Sequence, residues 1–270
     1  MLNLIKMDMY RLFRTKSFRI GLIIAFALSF SCVAVLAALS NLIPMLSESS
    51  GATMAELPFA NWRNNVNLFD IILTSTAVLS LLVSAVIASN FISNEQSNGY
   101  VKNIAGQLKN KGIMNISKFA ALAVMSLSVL VAYAAGATLG GFLFLNSAMN
   151  FDGLNSFLAL YGTKYLIYLA VNAIILFLCA LTKSKSVSIA FAVMFGTGAT
   201  IFVYNIISTF IGIIFKIDLP ISSYVPDGLI FGLSTASPYA ELIKAIVVSV
   251  VYIAVFMTLS VVITRKRDTR

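Results

Sequence analysis

Six stretches of this chain are each apolar enough and long enough to cross a lipid bilayer: residues 18–43, 68–92, 119–145, 161–181, 187–215 and 242–263. A helical crossing takes about 20 apolar residues, and inside hydrocarbon every backbone N–H and C=O must be satisfied within the fold. That constraint selects an all-α integral membrane protein with six transmembrane helices. Composition agrees, with 59% apolar and 11% charged residues against about 25% charged in soluble domains. No internal repeat or low-complexity linker divides the chain, so residues 1–270 read as one membrane domain.

The loops orient it. Fifteen of the 19 Lys and Arg residues fall on one side: five in the N-terminal segment 1–19, four in 93–118, Lys183 and Lys185, and four at the C-terminus. Arg63, Lys164, Lys216 and Lys244 are left for the other side, together with seven of the ten acidic residues. The positive-inside rule then places both termini and the 93–118 loop in the cytoplasm.

Three segments outside the spans carry pattern. In residues 1–17, Leu2, Ile5, Met9, Leu12 and Phe13 share one helical face, and Lys6, Asp8, Arg11 and Arg14 take its flank and opposite side. This predicts an amphipathic helix lying in the membrane interface. Residues 93–118 are the longest mainly polar run between two apolar segments. Within them Tyr100, Ile104 and Leu108, with Val101 beside them, draw an apolar line along a short helix, ringed by Lys102, Lys109 and Lys111. Such a helix fits docking onto a soluble partner, and it equally fits lying on lipid headgroups. Residues 216–241 hold Pro220, Pro226, Gly228, Gly232 and Pro238 among apolar pieces too short to span. They predict re-entrant extracellular helices between the fifth and sixth spans.

Several chemistries are excluded or weakened. There is no histidine and no G-x-x-x-x-G-K-[ST] motif, and the two cysteines, Cys32 and Cys179, lie inside apolar runs. The chain therefore builds no P-loop for ATP, no histidine-based metal site and no Ser–His catalytic pair. It reads as neither an enzyme nor a nucleic-acid binder, and it offers no site for a cofactor or metal. No span holds a central carboxylate to carry a proton. Asn172, Asn205 and Tyr204 are the polar residues within spans that fit a transport pathway, and helix-to-helix hydrogen bonding accommodates them as well. Gly136, Gly140, Gly141, Gly196 and Gly198 allow close helix approach.

Taken together, KMDMYRLFRTKSFR, the six spans and ISNEQSNGYVKNIAGQLKNKGIMNISK resemble the membrane subunits of type-2 (export-type, ABC-2) ABC transporters. Glu95, Gly99, the apolar helix and Ser117–Lys118 are similar to that family's coupling-helix region, here 94–117. Tyr100 stands where many members have Thr. The resemblance implies a permease subunit of a bacterial cell-membrane exporter, paired as a homodimer or with a paralogous permease. It implies a separate ABC ATPase subunit that holds ATP and Mg and docks on Glu95, Gly99, Tyr100, Val101, Ile104 and Leu108. The implied substrate is a hydrophobic or antimicrobial peptide, a drug or a lipid. A different class also fits: a membrane anchor or regulator that uses 93–118 to hold another soluble partner.

Overall fold

The computed structural model describes residues 2–50, 66–75, 79–97, 111–145, 149–150, 153–182, 184–216, 220–233 and 237–266. It is helical throughout these, apart from one short strand pairing. The elements are α1 (Leu2–Arg14), α2 (Lys16–Ser50), β1 (Val66–Asn67), α3 (Leu68–Ser75), α4 (Leu79–Ser97), α5 (Ile113–Phe144), β2 (Met149–Asn150), α6 (Leu154–Thr182), α7 (Lys185–Thr197), α8 (Ala199–Phe215), a 3-10 turn (Ile221–Tyr224), α9 (Pro226–Gly232) and α10 (Tyr239–Lys266). β1 and β2 pair in parallel, Val66 with Met149 and Asn67 with Asn150. They bring the start of α3 beside the start of α6.

Among the described residues, four helices are long and apolar enough to cross a membrane: α2 over Lys16–Leu39, α5, α6 and α10. The pair α7 and α8 makes a fifth if it is one span bent by 75°. One of the six expected spans, 187–215, therefore differs from a straight crossing. Of the 68–92 stretch the described residues form α3 and α4, and residues 76–78 lie outside the described residues. The 187–215 stretch turns at Gly198, whose φ of 73° is left-handed and closes the end of α7.

α6 runs through the centre with most of its length buried, whereas α2 and α10 leave most of their surface open. Tyr133, Leu122, Met125 and Leu130 of α5 meet Ile167 and Tyr168 of α6 in the main core. Small residues set the closest approaches. A Cβ on Gly136 would stand 2.5 Å from the Phe26 carbonyl oxygen of α2, and one on Gly196 2.3 Å from the Leu82 Cα of α4. Neither atom is a movable side chain, so these helix pairs depend on glycine.

Several buried polar groups are paired across helices, where an apolar medium favours internal partners. The Ser29 hydroxyl donates to the Tyr133 carbonyl at 2.7 Å and Tyr161 to the Leu130 carbonyl at 2.6 Å. Ser80 and Tyr168 share a hydrogen bond between α4 and α6. Lys164, assigned by sequence to a loop side, is instead buried on α6, where its Nζ donates to the Leu73 carbonyl at 2.6 Å. Leu73 lies in the last turn of α3. The lysine thus ties α6 to α3 through a charged donor.

Candidate functional site

α1 forms as its periodicity requires, but its environment is mixed. Leu12 is fully buried and Met9 packs on the core, so much of the apolar stripe faces protein, chiefly α5. Asp8 lies on that inward side, and so does part of Arg11. Their partners come from the two ends of the 93–118 loop.

Glu95, near the end of α4, is the centre of the arrangement. Its Oε1 accepts from Arg11 Nη1 at 2.7 Å, and its Oε2 lies 2.7 Å from Lys118 Nζ on α5. Asp8 Oδ1 stands 3.7 Å from the same Arg11 nitrogen, and the Ser117 hydroxyl donates to Asp8 Oδ2 at 2.5 Å. Asp8, Glu95 and Lys118 are all 5% exposed or less. Two carboxylates meet two cations, so the buried charge balances. Burial, the largest influence, raises the Asp8 carboxyl above the ordinary carboxylate range, against the Ser117 hydrogen bond that favours the ionised form.

Neighbouring contacts extend the node. Asn115 Nδ2 donates to the Ser260 carbonyl at 3.0 Å, to Ser260 Oγ at 2.7 Å and to Thr264 Oγ1 at 2.8 Å, tying α5 to the end of α10. Lys185 Nζ of α7 donates to Asn94 Oδ1 at 2.9 Å. Five helices, α1, α4, α5, α7 and α10, are thereby fastened where the loop leaves and re-enters the bundle.

A second cluster sits at the 75° bend. Asp227 of α9 is buried and accepts from Thr200 and, at 3.4 Å, from Tyr204, both on α8. Phe231 of α9 closes over Gly198, where a Cβ would come within 2.6 Å of its ring. The short helix α9 and the 3-10 turn before it are the described part of the expected re-entrant segment, and they brace the bend.

Glu95 is thus buried in the ionic node. Gly99, Tyr100, Val101, Ile104 and Leu108 lie outside the described residues. Asn172 is buried, and its Nδ2 donates to Ser126 Oγ of α5 at 2.6 Å, a bond between neighbouring helices. Tyr204 reaches Asp227. Asn205 lines a groove of about 320 Å³ along α8 with Phe202, Ile206, Thr209, Phe210 and Ile213. The node itself was missed by sequence reasoning, although it left a mark: Asp8 and Glu95 are each the lone carboxylate of an otherwise basic segment.

A bundle of long apolar helices, four of them able to span a bilayer, defines a multi-pass membrane protein. Residues 4–199 match a family model described as an ABC-2 family transporter protein. The match covers well over half of the chain, and the chain belongs to that family. It is the membrane domain of an ABC transporter; permease domains of this family are not themselves catalytic, and the family implies an ABC ATPase partner. No curated protein matches the chain.

Proposed function

We propose that this chain is the transmembrane permease subunit of an ATP-driven exporter of the bacterial plasma membrane, and that a separate ATPase subunit drives it through the 93–118 loop. The observation that carries the reading is the Arg11–Glu95–Lys118 cluster. One carboxylate at the loop's start holds a cation from α1 and a cation from the loop's far end. A force applied between residues 98 and 110 would therefore reach α1, α4 and α5 together.

In this reading both termini are cytoplasmic, as the Lys and Arg bias requires. Tyr100, Val101, Ile104 and Leu108 seat in a groove of the ATPase, with Gly99 giving the loop room to turn. ATP and Mg stay on that partner. Closure of two ATPases pushes the loop, the paired charges keep it from folding over on itself, and the spans tilt in response. Two copies, or one copy and a paralogue, enclose the pathway.

The groove along α8 supports the substrate class. Its lining is mostly apolar, with Asn205 and Thr209 as polar points, which suits a hydrophobic or amphipathic peptide, drug or lipid. The test is the pair of substitutions Ile104→Asp and Leu108→Asp. Membrane insertion should persist while capture of the ATPase is lost. Undiminished capture would remove the docking claim.

A further inference from the structure

The sequence offers the apolar stripe of α1 to lipid, and the structure gives much of that stripe to protein. What α1 turns outward keeps Phe13 of that stripe and is otherwise a different set. Lys6, Tyr10, Phe13 and Arg14, spaced by three and four residues, form one exposed face, with Tyr10 61% and Phe13 52% accessible. Across the break at Thr15, Lys16 and Arg19 are exposed at the foot of α2. Immediately above them Ile20, Ile23 and Ile24 are exposed on a helix apolar enough to span the bilayer. The cationic face is therefore continuous with surface that hydrocarbon must cover.

The face is also built rather than loose. Arg14 Nη1 donates to the Tyr10 hydroxyl at 2.6 Å, and its guanidinium lies 5.2 Å from that ring's centroid. Arg19 Nη2 donates to the Arg14 carbonyl at 3.1 Å, which closes the end of α1 and fixes the angle between α1 and α2. Phe13 packs edge-on against Phe18 at 5.5 Å. No exposed carboxylate neutralises the face among the described residues at this end, because Asp8 and Glu95 are both spent inside the node. The fold has sorted its charges, with the acids inward and the unneutralised cations outward.

We propose that the outward face of the α1–α2 corner binds anionic phospholipid headgroups, with Lys6, Arg14, Lys16 and Arg19 meeting the phosphates. Tyr10 and Phe13 sit among the headgroups, the depth at which aromatic side chains are favoured. The corner is held to the bilayer by charge rather than by insertion of an apolar stripe. Its attachment accordingly weakens with salt, since the Debye length shortens from about 10 Å at 0.1 M to about 3 Å at 1 M. The loop-driven motion of α1 then works against a lipid anchor, so leaflet charge sets the resistance to it.

The test uses the full chain in neutral detergent, offered equal amounts of phosphatidylglycerol and phosphatidylcholine, with retained lipid counted by native mass spectrometry. Wild type should retain phosphatidylglycerol preferentially. Each cation removed should lower that preference about fivefold, until it reaches parity, on the scale of one juxtamembrane cation. The variant K6Q/R14Q/K16Q/R19Q should reach parity. K6Q/K16Q, which leaves the Arg14 and Arg19 hydrogen bonds intact, should lose part of the preference with its melting temperature in detergent unchanged. Equal retention of both lipids by wild type, or full preference in the quadruple variant, overturns the proposal. So does displacement of the lipid by millimolar inorganic phosphate, which would make this a free-anion site. Loss of ATPase capture in the quadruple variant with lipid preference intact would instead give the surface to the ATPase.

Discussion

Replacing Glu95 by methionine should be among the most damaging single changes at the loop-bearing end of the molecule, and a second change should repair it. Removing one member of a buried ion pair costs about 3–5 kcal/mol, because the survivor is left charged in a poor solvent. Glu95 has two partners, and they differ. The Lys118 side chain is 7% exposed and cannot reach water without moving α5. That of Arg11 is 27% exposed and can swing outward, so its share is about 0–1 kcal/mol. Asp8, close to both cations, softens the loss, which places Glu95→Met at about 3 kcal/mol. Adding Lys118→Met removes the stranded ammonium and fills the space with a side chain of similar length. The double variant should recover to within about 1 kcal/mol of wild type, since apolar replacement of a whole buried pair is often neutral. The assay is unfolding in mixed micelles by added SDS, followed by circular dichroism, across all four members of the cycle. Additive losses in the double variant, or a Glu95→Met loss below about 0.5 kcal/mol, would refute the electrostatic account of the node.

Asp8→Asn should be tolerated and should change the pH profile. Burial raises the Asp8 carboxyl, so its destabilising ionisation is absent below the unfolded-state value and grows as pH rises through the interval up to the folded-state one. The variant should therefore gain on wild type from acid toward neutral pH, measured by thermal melts; a gain confined to acid pH would reverse the sign. Gly196→Leu should separate α4 from α7, since its Cβ meets the Leu82 Cα at 2.3 Å, and a melting temperature within 2–3 °C of wild type, roughly the effect of 1 kcal/mol, would contradict that packing. In a background with Cys32 and Cys179 replaced by serine, Tyr239→Cys should react with an impermeant thiol reagent from outside intact cells, and Lys6→Cys only after permeabilisation. The opposite pattern would invert the orientation.

Much of the architecture is legible in residue order because hydropathy over about 20 residues is a direct record of what lipid tolerates. The glycines at 136 and 196 also declare themselves, since a small residue in an apolar run has few uses besides close approach. Gly198 was visible as a small residue, but its left-handed backbone depends on Phe231 and Asp227 bracing the turn from more than 25 residues away. The node joins residues 8, 11, 95 and 118, whose pairing follows from helix packing and not from any local spacing. Glu95 could be picked out as the only acid of its loop, yet reading it as an exposed contact missed that two cations enclose it.

The most direct test of the account is affinity capture of the detergent-solubilised chain from its native host, followed by assay for vanadate-sensitive ATP hydrolysis. The account predicts that an ABC ATPase subunit comes with the chain and that the complex hydrolyses ATP. A chain that comes alone, with ATP untouched, would contradict coupling through the 93–118 loop and favour a membrane anchor that holds a different partner there.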